Sequence, residues 1–220
     1  MARSQDLVRQ EVCRRSDHQR PGGQAALRGR TKTIATILSS KSATALYKTA
    51  KVLEEGGVVV IPTDTVYGVA ARLDRPKAID KIFKLKGRPR SKPLPILVPD
   101  IKTARTLGEF DKDALELAMS SWPGPVTIVV RTTEDVPDIG GDGTTVGLRI
   151  PNHPFTLELL RDCGPLVATS ANPSGNPTAA VLQEVLLDLG TGPGIYVDGG
   201  TLNAPPSRVI SMLGEPRILR

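Results

Sequence analysis

Gly56-Gly57-Val58-Val59-Val60-Ile61-Pro62-Thr63-Asp64-Thr65-Val66-Tyr67-Gly68 is the stretch on which the fold turns. Val58 to Ile61 are all β-branched and show no polar alternation, which predicts a short strand buried on both faces, as in a sheet covered by helices on each side. Pro62 closes the strand because it has no N–H to give a ladder, and Thr63-Asp64-Thr65 follows as a polar turn. Upstream, Leu46, Tyr47, Ala50 and Leu53 recur at helical spacing, with Gly56-Gly57 as the stop signal. Downstream, Pro76 to Lys86 predicts a second helix with Ile79, Ile82 and Phe83 inward and Gly87 as its cap.

The same reading places further helices at 111–120, 154–162 and 180–189, and strands at 94–98, 125–131, 145–150, 166–169, 195–198, 207–212 and 216–219. Strands and helices interleave, while Pro123-Gly124-Pro125 and the short late strands point to hairpins. The expected class is therefore α/β, a single domain with a twisted, mixed parallel and antiparallel sheet flanked by helices. The chain has 220 residues, 39% hydrophobic and 24% charged, enough to bury a core without staples. No apolar run reaches the roughly 18 to 20 residues of a membrane helix. Cys13, Cys163 and two histidines are too few for a disulfide scaffold or a four-ligand metal cluster.

The net charge of +6 is unevenly spread. Residues 1–32 hold eight Lys or Arg against three acids, contain Pro21-Gly22-Gly23 and lack an apolar period, so they are expected to form a disordered basic leader ahead of a domain spanning 33–220. The leader has no secretory h-region, and Asp6, Glu11 and Asp17 argue against a transit peptide, so the expected location is cytoplasmic. Residues 72–92 carry nine basic groups and two acids, a local belt suited to an anionic ligand.

Within that belt, Lys86-Gly87-Arg88-Pro89-Arg90-Ser91-Lys92-Pro93 sets four cations in seven residues around backbone-fixing Gly and Pro. A planar guanidinium beside a point-charge ammonium suits a triphosphate; the plain alternative is a solvated loop, which is the reading for Lys77, Lys81 and Lys84. Leu166 to Gly175 runs from an apolar strand into Ser170-Ala171-Asn172-Pro173, where ligands gather at strand ends in open α/β sheets. Ser170 and Asn172 could bind phosphate or a metal-bound water, or simply cap an Asn-Pro turn. Gly140-Gly141-Asp142-Gly143 reads as a flexible loop. No phosphate-binding glycine motif is present, and a Ser170, His153 and Asp162 triad lacks the turn that would expose its serine.

Together, Pro62-Thr63-Asp64-Thr65-Val66-Tyr67-Gly68, Lys86-Gly87-Arg88, Trp122-Pro123-Gly124-Pro125-Val126-Thr127, Leu148-Arg149-Ile150-Pro151, Ser170-Ala171-Asn172 and Ile218-Leu219-Arg220 resemble the YrdC-like (TsaC) threonylcarbamoyl-AMP synthases over residues 40–220. The resemblance implies a YrdC-like fold with a concave basic cleft. It also implies an enzyme, a nucleotidyltransferase that makes L-threonylcarbamoyladenylate from L-threonine, bicarbonate and ATP with release of pyrophosphate. The product would serve threonylcarbamoyladenosine modification of tRNA, completed by a downstream transfer machinery. Mg²⁺ would accompany ATP, with no tightly held protein-ligated metal.

By the same resemblance Lys86 and Arg88 would be catalytic. Arg88, Lys92, Thr145, Ser170, Asn172, Thr178 and Arg220 would bind ATP, and Thr65, Arg149 and Ser207 would bind L-threonine. Leu97 departs from the histidine of longer relatives, and Arg208 stands where Thr or Glu is usual. Carbamoyl-transferring maturation proteins of similar fold carry paired cysteines that this sequence lacks. A non-enzymatic double-stranded RNA binder is the alternative class, but 3% aromatic residues leave little for base stacking, so weak RNA binding is at most a side activity.

Overall fold

Val59, Val60 and Ile61 are completely buried and form the strand expected of them, with Val58 just ahead at 3% exposure. The structure is a computed structural model that describes residues 35–133 and 136–220; the leader expected over 1–32, with Cys13, lies outside them. The first half of the chain runs β1 (Thr36–Ser39), α1 (Ala45–Glu54), β2 (Val59–Ile61), β3 (Gly68–Arg72), α2 (Pro76–Lys86), β4 (Ile96–Leu97), α3 (Ile101–Leu107) and β5 (Gly108–Glu109). The second half runs α4 (Lys112–Ser121), β6 (Val126–Thr132), β7 (Thr145–Arg149), α5 (Pro154–Cys163), β8 (Leu166–Ser170), α6 (Leu182–Leu189), β9 (Ile195–Asp198), β10 (Arg208–Ser211) and β11 (Arg217–Ile218).

All strands join one sheet in the order β1-β9-β2-β3-β8-β4-β7-β6-β10-β11, with β5 added beside β6. β1, β9 and β2 pair in parallel, as do β4 with β7 and β6 with β10; the other pairings are antiparallel. The mixed sheet is thus as expected. Four elements were not: β1, β3, α3 and β5. Gly-Val-Ala-Ala-Arg of β3 has little strand propensity of its own and is set by antiparallel partners on both sides, β2 and β8. α3 begins where the Asp100 carboxylate accepts from the Thr103 N–H at 2.7 Å.

The alternation of β2 divides the core. Val58 and Val60 pack with Ile79, Ile82 and Phe83 of α2, Ala104 of α3, Ala118 of α4 and Val185 of α6. Val59 and Ile61 pack on the other face with Leu53 of α1 and Leu159 and Leu160 of α5. α1 and α5 meet each other over the half of the sheet containing β9, β2 and β3. No residue of β6, β7 or β10 joins that second cluster, and on this face Val129, Gly147, Val209 and Ser211 are partly exposed, forming the floor of the candidate cleft. No helix of the described residues is long and apolar enough to cross a membrane.

Candidate active site

The floor is read from register. Val146 and Leu148 of β7 point into the core, so Thr145, Gly147 and Arg149 face the cleft. Across the ladder Arg149 stands beside Leu97 of β4, and Thr145 beside Arg131 of β6. Thr127 of β6 shares this face and bonds Ser207 side chain to side chain at 3.2 Å.

Arg149 is 5% exposed and spread over three acceptors. Its Nε donates to the Gly124 carbonyl at 3.0 Å, Nη1 to Thr65 Oγ1 at 3.2 Å, and Nη2 to Asp64 Oδ1 at 2.6 Å. A guanidinium has five N–H groups, so two remain for a ligand. Burial pulls the Arg149 pKa down and the Arg220 guanidinium pushes the same way, while Asp64 holds it up. Each partner is fixed by its motif. Thr63 Oγ1 accepts from the Thr65 and Val66 N–H groups at 3.2 Å each, which folds the turn carrying Asp64 and Thr65. Tyr67 then locks that turn to the loop after β9 by donating to the Gly200 carbonyl at 2.6 Å. Gly124 is oriented by the Trp122 indole, which donates to the Val126 carbonyl at 2.7 Å, and a side chain at Gly124 would meet the Ser121 carbonyl at 2.4 Å.

The basic loop follows from the end of α2. Gly87, at φ 59°, reverses the chain, and the Arg88 N–H bonds the Phe83 carbonyl at 3.0 Å. Lys86, 4% exposed, turns inward and donates to the carbonyls of Ser170 and Asn172 and to Asn172 Oδ1 at 3.3 Å. All three ammonium protons therefore hold the loop after β8. Burial first, then Arg88, lower the Lys86 pKa to about 8, against an opposing pull from Asp188.

Of the four cations in this loop, only Arg90 is neutralised among the described residues: it pairs with Asp80 and Asp138 and lies 4.3 Å over the Phe83 ring. Arg88 has no acid. It is half-buried rather than solvent-exposed, donating to the Lys92 carbonyl at 3.0 Å and the Pro93 carbonyl at 2.9 Å, and burial plus Arg220 lower its pKa. Gly140-Gly141 also differs from the expected flexible loop. Gly140 is buried, and the N–H of the exposed Gly141 donates to the Arg90 carbonyl at 2.7 Å, bracing the basic loop from behind. Lys81 is exposed, as expected of a solvated face, and reaches the Gly56 carbonyl at 3.2 Å.

Arg220 ties the two halves together. Its side chain donates to the Ser207 carbonyl at 3.1 and 3.2 Å and to Ser207 Oγ at 3.3 Å, and its own carbonyl accepts from the Val209 N–H at 2.9 Å. Its charge acts on both Arg88 and Arg149. Three guanidinium groups thus lie within range of one another's charge, with one contacting carboxylate among the described residues, Asp64, an arrangement that favours an anionic ligand with more than one negative group.

A family model described as "Telomere recombination", covering Sua5, YciO and YrdC proteins, matches residues 51–220. The chain belongs to this family. It is 37% identical over 155 residues to the threonylcarbamoyl-AMP synthase of Bacillus subtilis, covering 69% of this chain and 45% of that one. It is 36% identical over 171 residues to the threonylcarbamoyl-AMP synthase of Pyrococcus abyssi, covering 76% of this chain and half of that one. The chain therefore spans about half the length of these two relatives. The crystal structure of Pyrococcus abyssi Sua5 complexed with L-threonine superposes with a TM-score of 0.76 at 34% identity, over 80% of this chain and 53% of that one. Escherichia coli YciO shares the fold, with a TM-score of 0.77 at 24% identity over 84% of this chain and 92% of that one.

Within the Sua5/YciO/YrdC fold the residues expected from sequence fall into groups. Thr65, Arg149, Ser207, Arg88 and Arg220 are linked by bonds or by charge, and Lys86 binds Ser170 and Asn172 at the neighbouring strand end. Thr145 is on the open floor, and the exposed Lys92 borders Arg88 through its carbonyl. Thr178 stands apart from the arginines, lining a hollow of about 240 Å³ whose charged members are Glu184 and Asp188. Asp64 was not singled out from the sequence, although it was quoted within the turn; only its pairing with Arg149, 85 residues away, marks it.

Proposed function

We propose that this protein is a threonylcarbamoyl-AMP synthase, joining L-threonine, bicarbonate and ATP and releasing pyrophosphate, in the service of tRNA modification. The observation that carries the reading is the buried Arg149, held by Gly124, Thr65 and Asp64 with two N–H groups unspent, within the field of Arg220, whose charge also acts on Arg88. Family membership, and the name borne by the relatives, supports the same chemistry.

On this reading the amino acid's carboxylate takes the two unused N–H groups of Arg149, with Thr65 and Ser207 alongside. Its amine first condenses with bicarbonate, losing water, to give a carbamate. A carbamate oxygen then attacks the α-phosphorus in line while the bond to the β,γ-diphosphate breaks, so pyrophosphate leaves with its electron pair. No protein nucleophile takes part. Arg88 and Arg220 stabilise charge on the phosphate oxygens, and Lys86 acts through position by holding Ser170 and Asn172 against them. Mg²⁺ would arrive on the nucleotide, whose phosphates are suitable ligands. When bound it would screen phosphate charge. Thr178 and Lys92 would contact outer parts of ATP.

The test is pyrophosphate release with each substrate withheld in turn. Release should need both L-threonine and bicarbonate, because the attacking oxygen belongs to the carbamate. Turnover indifferent to bicarbonate would be that of an ordinary aminoacyl adenylation and would reject the mechanism.

A further inference from the structure

Gly147 sits in the middle of β7, between Thr145 and Arg149 on the open face. A glycine inside a strand weakens it and needs a reason, which is often the close approach of a ligand. Backbone conformation supplies no reason here, since Gly147 is not among the glycines with positive φ. Packing supplies part of one. The nearest atoms to a Cβ added at Gly147 are the Thr127 methyl at 3.2 Å, a tight contact that asks Thr127 to give by a few tenths of an ångström, and Pro95 and Val129 at an ordinary 3.7 Å. Its neighbours Val129, Val209 and Ser211 are partly exposed on the same uncovered surface.

The register gives this gap a place in the chemistry. Arg149 marks one end of the floor, and Thr145, with Ser170 two strands away, the other, four residues along one strand or about 13 Å. With an amino-acid carboxylate at the Arg149 end and a phosphate chain at the other, the atoms that join them lie over the midpoint. We propose that Gly147 is the bare floor beneath the carbamate and the α-phosphate, a positioning residue whose missing side chain lets the two substrates meet. The inference rests on the synthase reading above and adds to it the place of bond formation.

A series of Gly147→Ala, Gly147→Ser, Gly147→Val and Gly147→Leu tests it, read by L-threonine binding alone, ATP binding alone, and adenylate formation. L-Threonine should bind every variant as it binds the wild type. The rate constant for adenylate formation should fall with side-chain size, slightly for Ala and about 100-fold for Val, the cost of displacing reacting atoms by about an ångström. Thermal unfolding should show Gly147→Ala close to wild type, strand preference offsetting the tight contact with Thr127, so that its slower adenylate formation is not a folding defect. If Val misfolds, the Ala and Ser variants still decide, with Ser the slower. A wild type that makes adenylate alongside a series that is flat with size would overturn the role of Gly147 alone. A wild type that binds neither substrate and makes no adenylate would overturn the synthase reading, and this inference with it.

Discussion

Asp64 and Arg149 form the one ion pair among the described residues with both side chains nearly buried, at 7% and 12% exposure for Arg149 and Asp64 respectively. Removing one member of such a pair leaves a desolvated charge, which costs about 3–5 kcal/mol, whereas an exposed pair is worth at most about 1 kcal/mol. Asp64→Ala should therefore lower stability by that larger amount in urea denaturation and raise the KM for L-threonine. Asp64→Asn, which still accepts from Nη2, should lose less of both; equal losses would show that charge alone matters. Lys86 carries a different liability. Its three protons have three acceptors, and its folded pKa of about 8 lies below the ordinary 10.5. Between those values the unfolded chain holds a proton that the folded chain has released, so this group makes stability rise with pH across that window. Activity should move the other way, falling above pH 8 as the neutral amine drops one carbonyl. Lys86→Arg, which does not titrate there, should abolish that limb of the pH–rate profile; a limb unchanged in the variant would assign it elsewhere.

Among the elements, those legible in the sequence have local causes. β2 follows from four β-branched residues, and α2 from Pro76, its apolar spacing and Gly87. β3 and the two-residue β5 are imposed by neighbours far away in the chain, which a local reading cannot see. The basic loop shows the same division. Lys86, Arg88, Arg90 and Lys92 alternate evenly, but only the fold brings Asp138 to Arg90 and Arg220 to Arg88, so one cation is paired with acids and another has no acidic partner among the described residues. The glycine turn was likewise legible as glycine but not as a brace. At Gly140, φ is +84° and a Cβ would sit 2.7 Å from the Arg90 carbonyl and 2.8 Å from the Phe83 ring; at Gly143, φ is +76° with nothing nearby. Gly143→Ala should cost only the left-handed conformation, roughly 1–2 kcal/mol. Gly140→Ala should cost more and, by shifting the loop, raise the KM for ATP while leaving L-threonine binding unchanged. Matching thermal shifts and KM values for the two variants would deny the bracing role.

Across the whole molecule, the site is assembled from segments that only the sheet order makes neighbours: the turn after β2, the loop after α2, one face of β7, the end of β8, and β10 with the residues after β11. Half the sheet is armoured on both faces, and the other half is partly exposed on one, the face that Arg149 shares. The pairing of β1 with β9, Thr36 against Ile195, has a consequence for how the protein is made. A chain emerging from the ribosome delivers β1 early and must keep it waiting until β9 is synthesised, and one edge of β6 waits in the same way for β10. Contacts this distant are slow to close, and unpaired strand edges are what chaperones cover. Nascent chains stalled before β9 has cleared the tunnel should remain open to protease, with the Ser207–Arg220 clasp, which comes later in the chain than β9, still unformed.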